Sequence, residues 1–526
     1  MFWADNTVDE IISRFKDKVD NRQPLIIRDE KTASGRVHVG SLRGVAVHGV
    51  ISEILSERGI NNTFYFEIND VDPMDGLPVD LDQDKFSPYM GKPLYAVPSP
   101  GGKAKNFAEY FGEEFLEVIK DLGFKAEFIR ASDLYKEGKY NNSIRKILDN
   151  RETVIDIYKK VSGSDKPKDW YPISVICEDC GNVGTTKVTD WDGEKVTYTC
   201  GDFVKWAKGC GHEGKVSPYD GNAKLPWKVE WAAKFEVMGV NVEGGGKDHT
   251  TKGGSRDVAD AIARQVLGIE PPYNIPYEWL NVEGKSMSSS KGRGASAREM
   301  ADLMSPEILR LLMLYKKPNQ AIEFVPDGDT IPFLYDTYDR FAAKYFEKDK
   351  GYEARVFKLI HAKNPEKLEK RFLPKFSQIV FLSQMPHLDA VSEIEKAEGI
   401  KLSDLDKKEL EDRVTYAKKW LETFAPEKHK IEIQKEISEE TKDFSDIQKT
   451  ALKKLSEYIK GESELSGEAL HTKLHEIREG TDIEPKEFFS AIYLAILGKP
   501  QGPKAGWFLS VLDKDFLGDR LEEVSK

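Results

Sequence analysis

Lys31-Thr32-Ala33-Ser34-Gly35-Arg36-Val37-His38-Val39-Gly40-Ser41 sets small residues, hydroxyls and a histidine where an apolar strand turns into a helix. A helix N-terminus carries unpaired N–H groups and a partial positive charge, so phosphate binds there readily. In that setting His38 can donate to a phosphate oxygen, Gly40 lets a nucleotide approach the backbone, and Ser41 adds a hydroxyl contact. A second stretch, Glu283-Gly284-Lys285-Ser286-Met287-Ser288-Ser289-Ser290-Lys291-Gly292, follows a strand-like segment and is rich in Gly, Ser and Lys. A loop of that composition can close over phosphates and supply cations and N–H donors where charge develops. Each stretch has a plain alternative, a structural histidine at a helix start for the first and a flexible polar linker for the second.

The cysteines form the third chemical cluster. All four are confined to 177–210, unlike a disulfide framework spread through a secreted domain. Cys177 and Cys180 make a C-x₂-C-G knuckle, and Cys200 and Cys210 are each followed by glycine. Four thiolates can hold Zn²⁺ tetrahedrally and fix a loop-rich segment that has little core of its own. With four protein ligands such a metal is structural. The wide second spacing leaves reduced structural thiols as the alternative, with His212 as the reserve ligand.

These clusters need elements to carry them. Pro24 to Ile27 reads as a short buried strand, and Leu42, Val45, Ala46, Val50, Ile54 and Leu55 recur at helical spacing until Gly59. Thr63 to Ile68 is β-branched and aromatic, completing a βαβ unit whose first turn holds the histidine motif. Residues 85–220 read as an insertion, with a Pro/Gly-rich stretch, amphipathic helices over 107–122 and 142–161, and the cysteine segment. Regular α/β character resumes at WKVEWAAKFEVMGVNVEGGGKDH, with a helix from Ser255 to Gly268 and a strand in YEWLNVEGK. After Ser305 and Pro306, a cap and first residue for a helix, strand signals become scarce. The fold class expected is therefore a Rossmann-like α/β core split by an insertion, followed by an all-α C-terminal part.

A chain of 526 residues needs more than one core. A net charge of −12 argues against a generally basic nucleic-acid coat while allowing a local patch. With no run of 18 apolar residues and no basic-then-apolar start, no membrane association and a cytoplasmic location are expected. A monomer is the default expectation.

The order and separation of the two phosphate-handling stretches bring them together. Residues 32–41 resemble the "HIGH" signature and residues 286–290 the "KMSKS" signature of class I aminoacyl-tRNA synthetases. The closer resemblance is to the class I lysyl-tRNA synthetases, carried by LPWKVEWAAKFEVMGV, GGKDHTTKGGSRD, YKKPNQAIEF and AIYLAILGKPQGPKAGWFLSVL, so that it runs over nearly the whole chain. It implies a lysine–tRNA ligase: the lysine carboxylate attacks the α-phosphate of ATP, with Mg²⁺ bridging the phosphates, and the lysyl group passes to the terminal ribose of tRNA(Lys). It divides the chain into the halves of a catalytic core at 1–84 and 221–292, a connective insertion at 85–220, a helical connecting region at 293–345 and an α-helix cage reading the anticodon at 346–526.

Carried over by position, Thr32, Ser34, Gly35, His38, Gly40 and Ser41 form the nucleotide edge, joined by Ser288 and Ser290. His38, Ser41, Lys285 and Lys291 are the catalytic candidates; the general loop pattern has lysines where Ser286 and Ser289 stand, and lysines flank the loop here. Thr32, Trp227, Asp248, His249 and Tyr277 are candidates for the lysine pocket, with Asp70 and Asp72 as weaker acceptors for the ammonium. Trp231, one helical turn from Trp227, is either pocket or core. Some members of the family carry a further metal in the loop equivalent to 98–106; PSPGGKAKN offers no ligand for it, and none is expected. Phe488, Phe489, Lys504, Trp507 and Phe508 could stack or hold anticodon bases, with core as the favoured reading of the phenylalanines. The competing readings are a glutamyl-type synthetase, a non-catalytic tRNA-binding paralogue motivated by the loop serines, and a small-molecule adenylyltransferase.

Overall fold

The computed structural model describes residues 2–282, 296–364, 368–385 and 388–526. The chain forms two compact units, one of Met1–Val325 with Arg340–Leu368 and one of Pro326–Asp339 with Glu369–Lys526.

In the first unit α1 (Trp3–Arg14) precedes β1 (Leu25–Thr32), α2 (Leu42–Glu57) and β2 (Asn62–Asn69). The apolar positions of α2 that recur at helical spacing are all buried, and Gly59 follows the helix in the left-handed region at φ +74°. β1 and β2 run parallel in register from Leu25 opposite Asn62 to Thr32 opposite Asn69. After α3 (Phe107–Asp121), β3 (Glu127–Arg130) adds to the other edge of β2, also parallel. This corrects the reading of 85–220 as wholly an insertion. EFIR is short and carries charge at both ends, so its sequence shows no strand pattern, yet it completes one side of the core sheet.

The inserted part proper contains α4 (Asn141–Asp149), α5 (Arg151–Ser162) and an antiparallel meander of β4 (Thr186–Trp191), β5 (Val196–Cys200) and β6 (Glu213–Val216). The chain then re-enters the core through α6 (Trp227–Met238), which ends at Gly239 with φ +63°. Val242 bridges Ile27 of β1 on one side and Tyr273 on the other, both parallel. The two runs continue as β7 (Gly245–Gly246) paired with β8 (Pro276–Tyr277), with α7 (Ser255–Ile262) between them. Across the sheet the order is β3, β2, β1, the 242–246 run and the 273–277 run. The winding reverses beside β1, and in an open parallel sheet the crevice at that reversal receives ligands. β9 (Leu280–Val282) pairs with β10 (Ile322–Phe324), and α8 (Ala297–Leu303) and α9 (Pro306–Leu314) lie between. A capping box of Ser296 and Glu299 starts α8, and the Ser305 side chain accepts from Ile308 N–H to start α9.

The change from one unit to the other is interleaved and not a single cut near 346. The helix Tyr352–Ile360 returns to the first unit, where Arg355 pairs with Asp5 at 2.9 Å and the Leu359 carbonyl accepts from Arg310 at 2.8 Å. Among its described residues the second unit contains only helices and connections. Its core includes Trp420, fully buried with Nε1 donating to the Pro326 carbonyl at 2.8 Å. Buried Arg413 binds Asp339 at 2.6 Å and Glu409 at 3.0 Å. The charged run KEISEETKD ends in a short 3₁₀ turn, Glu439–Asp443.

Candidate active site

At the C-terminal ends of β1, β2 and β7 the first unit opens a cavity of 840 Å³. Thr32, Ser34, His38 and Ser41 line it from the β1–α2 turn, Trp227 and Trp231 from α6, and Asp248, His249 and Tyr277 from the far edge. The cysteine module contributes Val183, Gly184 and Trp206 to another wall. Six lining carboxylates, Asp29, Glu30, Asp72, Asp75, Glu243 and Asp248, outnumber the two lining lysines, Lys31 and Lys224; of the six, Glu30, Asp72 and Glu243 are paired with Lys234, Lys224 and Arg28.

On the nucleotide edge, a 3₁₀ turn over Val39–Ser41 leads from His38 into α2. Burial, with Lys31 nearby, depresses the His38 pKa to about 3, so its imidazole stays neutral, and its Nδ1 is buried without a hydrogen-bond partner among the described residues. A neutral imidazole with one ring nitrogen uncommitted can present an N–H to a phosphate oxygen. Gly35 and Gly40 do not line the cavity and belong to the turn itself. Lys285, Ser288, Ser290 and Lys291 lie outside the described residues. Of the residues on either side of that segment, Trp279 lines the cavity and Ser296 pairs with His38 in an antiparallel bridge.

The opposite end is aromatic. Trp227 and Trp231 stack with centroids 5.8 Å apart, and the His249 ring meets them edge-on at 5.0 and 6.2 Å. Trp227 is 40% exposed and Trp231 5%, yet both line the cavity, so Trp231 is pocket wall and core at once. Its Nε1 donates to Glu243 Oε1 at 2.8 Å, an anchor that sequence reasoning missed. Tyr277 is held close to α2: a Cβ on Gly44 would lie 2.7 Å from both the Tyr277 hydroxyl and Asp29 Oδ2. Burial raises the Tyr277 pKa well above the ordinary phenol value, keeping the group a neutral donor. His48 spans the same contact, its Nε2 accepting from Gly244 N–H at 2.7 Å and its Nδ1 meeting the Gly44 carbonyl at 2.8 Å.

Behind the carboxylate-lined wall is a lattice of buried charge. Fully buried Arg28 reaches Glu243 and Glu30 at 2.6 Å each and Glu67 at 2.9 Å. Lys234, also fully buried, binds Glu67 at 2.8 Å, Glu230 at 3.4 Å and Glu30. Burial works against the Lys234 charge, but Glu230, Glu30 and Glu67 outweigh it and hold its pKa well above the usual value. Lys224 reaches Asp72 at 2.8 Å and Glu230 at 3.3 Å, and Thr32 donates to Asp72 at 2.7 Å. Arg28, Lys224 and Lys234 thus face Glu30, Glu67, Asp72, Glu230 and Glu243, three cations for five carboxylates. Asp70 is not part of this wall. It accepts from the Ser132 N–H and hydroxyl at 2.8 and 2.6 Å, so it fixes the start of the next helix and does not face a ligand.

The cysteine knuckle closes on itself. The sulfurs of Cys177 and Cys210, and of Cys180 and Cys200, are 3.7 Å apart, and all four lie within 4.8 Å of one another. Tetrahedral Zn²⁺ with Zn–S of about 2.3 Å requires sulfurs about 3.8 Å apart, so the set fits that metal. No disulfide joins them. In the helical unit Phe488 and Phe508 are fully buried and cannot stack on a base, while Phe489 and Trp507 are partly exposed and Lys504 is exposed.

Comparison with known proteins agrees with this architecture. The family model described as tRNA synthetases class I (K) matches residues 1–364, and that of an anticodon binding domain matches residues 381–525. The chain is 34% identical to the lysine–tRNA ligase of Methanosarcina barkeri (strain Fusaro / DSM 804), over 99% of this chain and 97% of that one. It is 35% identical to the lysine–tRNA ligase of Methanocaldococcus jannaschii over 98% of each chain, and 32% identical to that of Archaeoglobus fulgidus over 99% of each. With a reversal-point cavity in a split parallel core and matches that run the length of the chain, this protein belongs to the class I (K) tRNA synthetases and carries a C-terminal anticodon-binding domain.

Proposed function

We propose that the chain is a lysine–tRNA ligase that activates lysine with ATP and transfers it to the 3′ end of tRNA(Lys). One observation carries the substrate: the cavity joins an aromatic wall of Trp227, Trp231 and His249 to an excess of carboxylates. Such a wall packs a methylene stem, and such an excess favours a cationic head. A glutamate side chain would meet like charge there, which counts against the glutamyl-type reading.

In this reading Thr32, Ser34, His38 and Ser41 receive ATP on the β1–α2 turn. Neutral His38 donates to the α-phosphate oxygens as charge builds in the attack of the lysine carboxylate, and that stabilisation acts with the positioning of the two substrates. Mg²⁺ accompanying ATP would supply neutralising charge at the phosphates. Lys285, Ser288, Ser290 and Lys291 are assigned to pyrophosphate on sequence grounds alone. Cys177, Cys180, Cys200 and Cys210 hold one structural Zn²⁺, a reading supported by their mutual distances. A cytoplasmic monomer completes the proposal, and no described helix is long and apolar enough to cross a membrane.

The test is ATP–pyrophosphate exchange with a panel of amino acids, run with and without tRNA. Lysine-dependent exchange is expected. Strong exchange with glutamate, or none with any amino acid, overturns the proposal.

A further inference from the structure

The two lysines that line the cavity differ in what they touch. Lys224 is committed to Asp72 at 2.8 Å and to Glu230 at 3.3 Å. Lys31 is half-buried and makes no hydrogen bond or ion pair among the described residues. Alternation along β1 sets the side on which it lies. Glu30, one residue back, turns to Lys234 on α6, whereas Asp29, two residues back, lies on the α2 side, its Oδ2 2.7 Å from where a Cβ on Gly44 would be. Lys31 therefore shares the α2 side, one step nearer the turn that starts that helix. Its charge acts on His38 at the nucleotide edge, while Asp29 and Asp248 act on it from the amino-acid edge. Burial outweighs those two aspartates and lowers the Lys31 pKa, as befits an ammonium drawn out of water with no partner in contact. A cation held in that state is costly unless a ligand completes it.

We propose that Lys31 binds a non-bridging oxygen of the ATP α-phosphate and is a further catalytic residue for amino-acid activation. In that step a carboxylate oxygen of the amino acid forms its bond to the α-phosphorus and the α–β P–O bond breaks. Pyrophosphate leaves with the electron pair of that bond, no proton moves, and negative charge builds on the non-bridging oxygens. Lys31 meets that charge as an ammonium fixed at the strand end, while neutral His38 donates from the turn. Because Lys31 has no partner to release among the described residues, its charge is already in place when the substrates arrive. Lys224, tied to two carboxylates, is not available for the same task.

The assignment rests on the lysine-activation reading, and the experiment separates the two. Full-length wild type, Lys31→Met and Lys31→Arg are compared in lysine-dependent exchange with tRNA present. On the same preparations, inhibition constants are measured for adenosine and for lysinol adenylate, which keeps the charged phosphodiester but has no carboxylate. Lys31→Met is expected to lower kcat by about 10²-fold and to weaken lysinol adenylate roughly 30-fold, while adenosine and the lysine KM move less than about threefold. Lys31→Arg, which keeps the charge, is expected to recover at least about tenfold of the lost rate. Lys31→Met should also melt no lower than the wild type, because it removes a cation that lacks a partner in the empty pocket. A raised lysine KM with lysinol adenylate unchanged moves Lys31 to the substrate carboxylate. Equal weakening of adenosine and lysinol adenylate, or a lowered thermal midpoint in Lys31→Met, marks a structural lysine. Each of these results, like an unchanged kcat, overturns the assignment and leaves the lysine reading intact. A wild type with no lysine-dependent exchange overturns the lysine reading itself, and the assignment with it.

Discussion

Replacing Cys200 by serine tests the metal reading most directly. Cys200 is buried, its sulfur lies 3.7 Å from that of Cys180, and the Thr185 hydroxyl packs against it at 3.3 Å. Structural zinc contributes on the order of 10–16 kcal/mol to small metal-closed modules, far more than the short β4–β6 meander can recover from its own packing. Losing one thiolate should therefore lower bound zinc from about one equivalent to a small fraction of it and open the module locally. Two assays read this: elemental analysis of protein purified without chelator, and limited proteolysis scored for cleavage within 176–217. Because Val183, Gly184 and Trp206 form one wall of the cavity, the variant should also bind its small substrates more weakly. A wild type holding less than about half an equivalent of zinc, or a Cys200→Ser variant that keeps it, refutes the reasoning.

Lys234→Met leaves Glu30, Glu67 and Glu230 without their shared cation and should destabilise the first unit by about 3–5 kcal/mol, read as a lowered thermal midpoint; an unchanged midpoint counts against the lattice. His38→Ala should slow amino-acid activation by about 10²–10³-fold in pyrophosphate exchange, the usual effect of removing one preorganised donor. His38 also has a stability signature: its folded pKa near 3 lies below the unfolded value of about 6.5, so the folded form binds fewer protons. Wild-type stability should then fall as pH drops below about 6.5, by up to about 2 kcal/mol at pH 5, and urea titrations of His38→Gln should lack that component. Gly44→Ala forces a methyl within 2.7 Å of Asp29 and Tyr277 and should cost about 1–3 kcal/mol of stability with weaker amino-acid binding; tolerance of the alanine would show that α2 and β8 move apart freely.

Much of the core was legible because its signals are local. Six apolar positions of α2 recur at helical spacing, Gly59 and Gly268 close their helices in the left-handed region, and Ser305 with Pro306 opens α9 as a cap and first turn should. β3 was missed because a short edge strand needs no alternating pattern. The aromatic residues of the pocket were readable by resemblance, whereas the charge behind them was not. Arg28, Lys234, Glu67 and Glu230 have side chains that sequence reasoning assigns to solvent, and only the packing of α6 on β1 and β2 shows them fully enclosed. The one available hint was their position inside otherwise apolar runs, such as Arg28 after Leu25, Ile26 and Ile27 and Lys234 within WAAKFEV. Asp70 misled for the converse reason, since an aspartate at a strand end can serve the backbone of the next element as well as a ligand.

The interleaved chain path bears on synthesis. The first unit gains the helix Tyr352–Ile360, with its ties to Asp5 and Arg310, only after Pro326–Asp339 has left the ribosome. That earlier segment must wait for Arg413 and Trp420, made some eighty residues later, to bury its carbonyl and carboxylate partners. During elongation neither unit closes in the order in which it is made, and apolar surface near 326–339 stays uncovered for that interval. A fragment ending at 345 should for the same reason be aggregation-prone, since it lacks a helix of the unit it means to isolate and keeps a segment of the unit it means to discard.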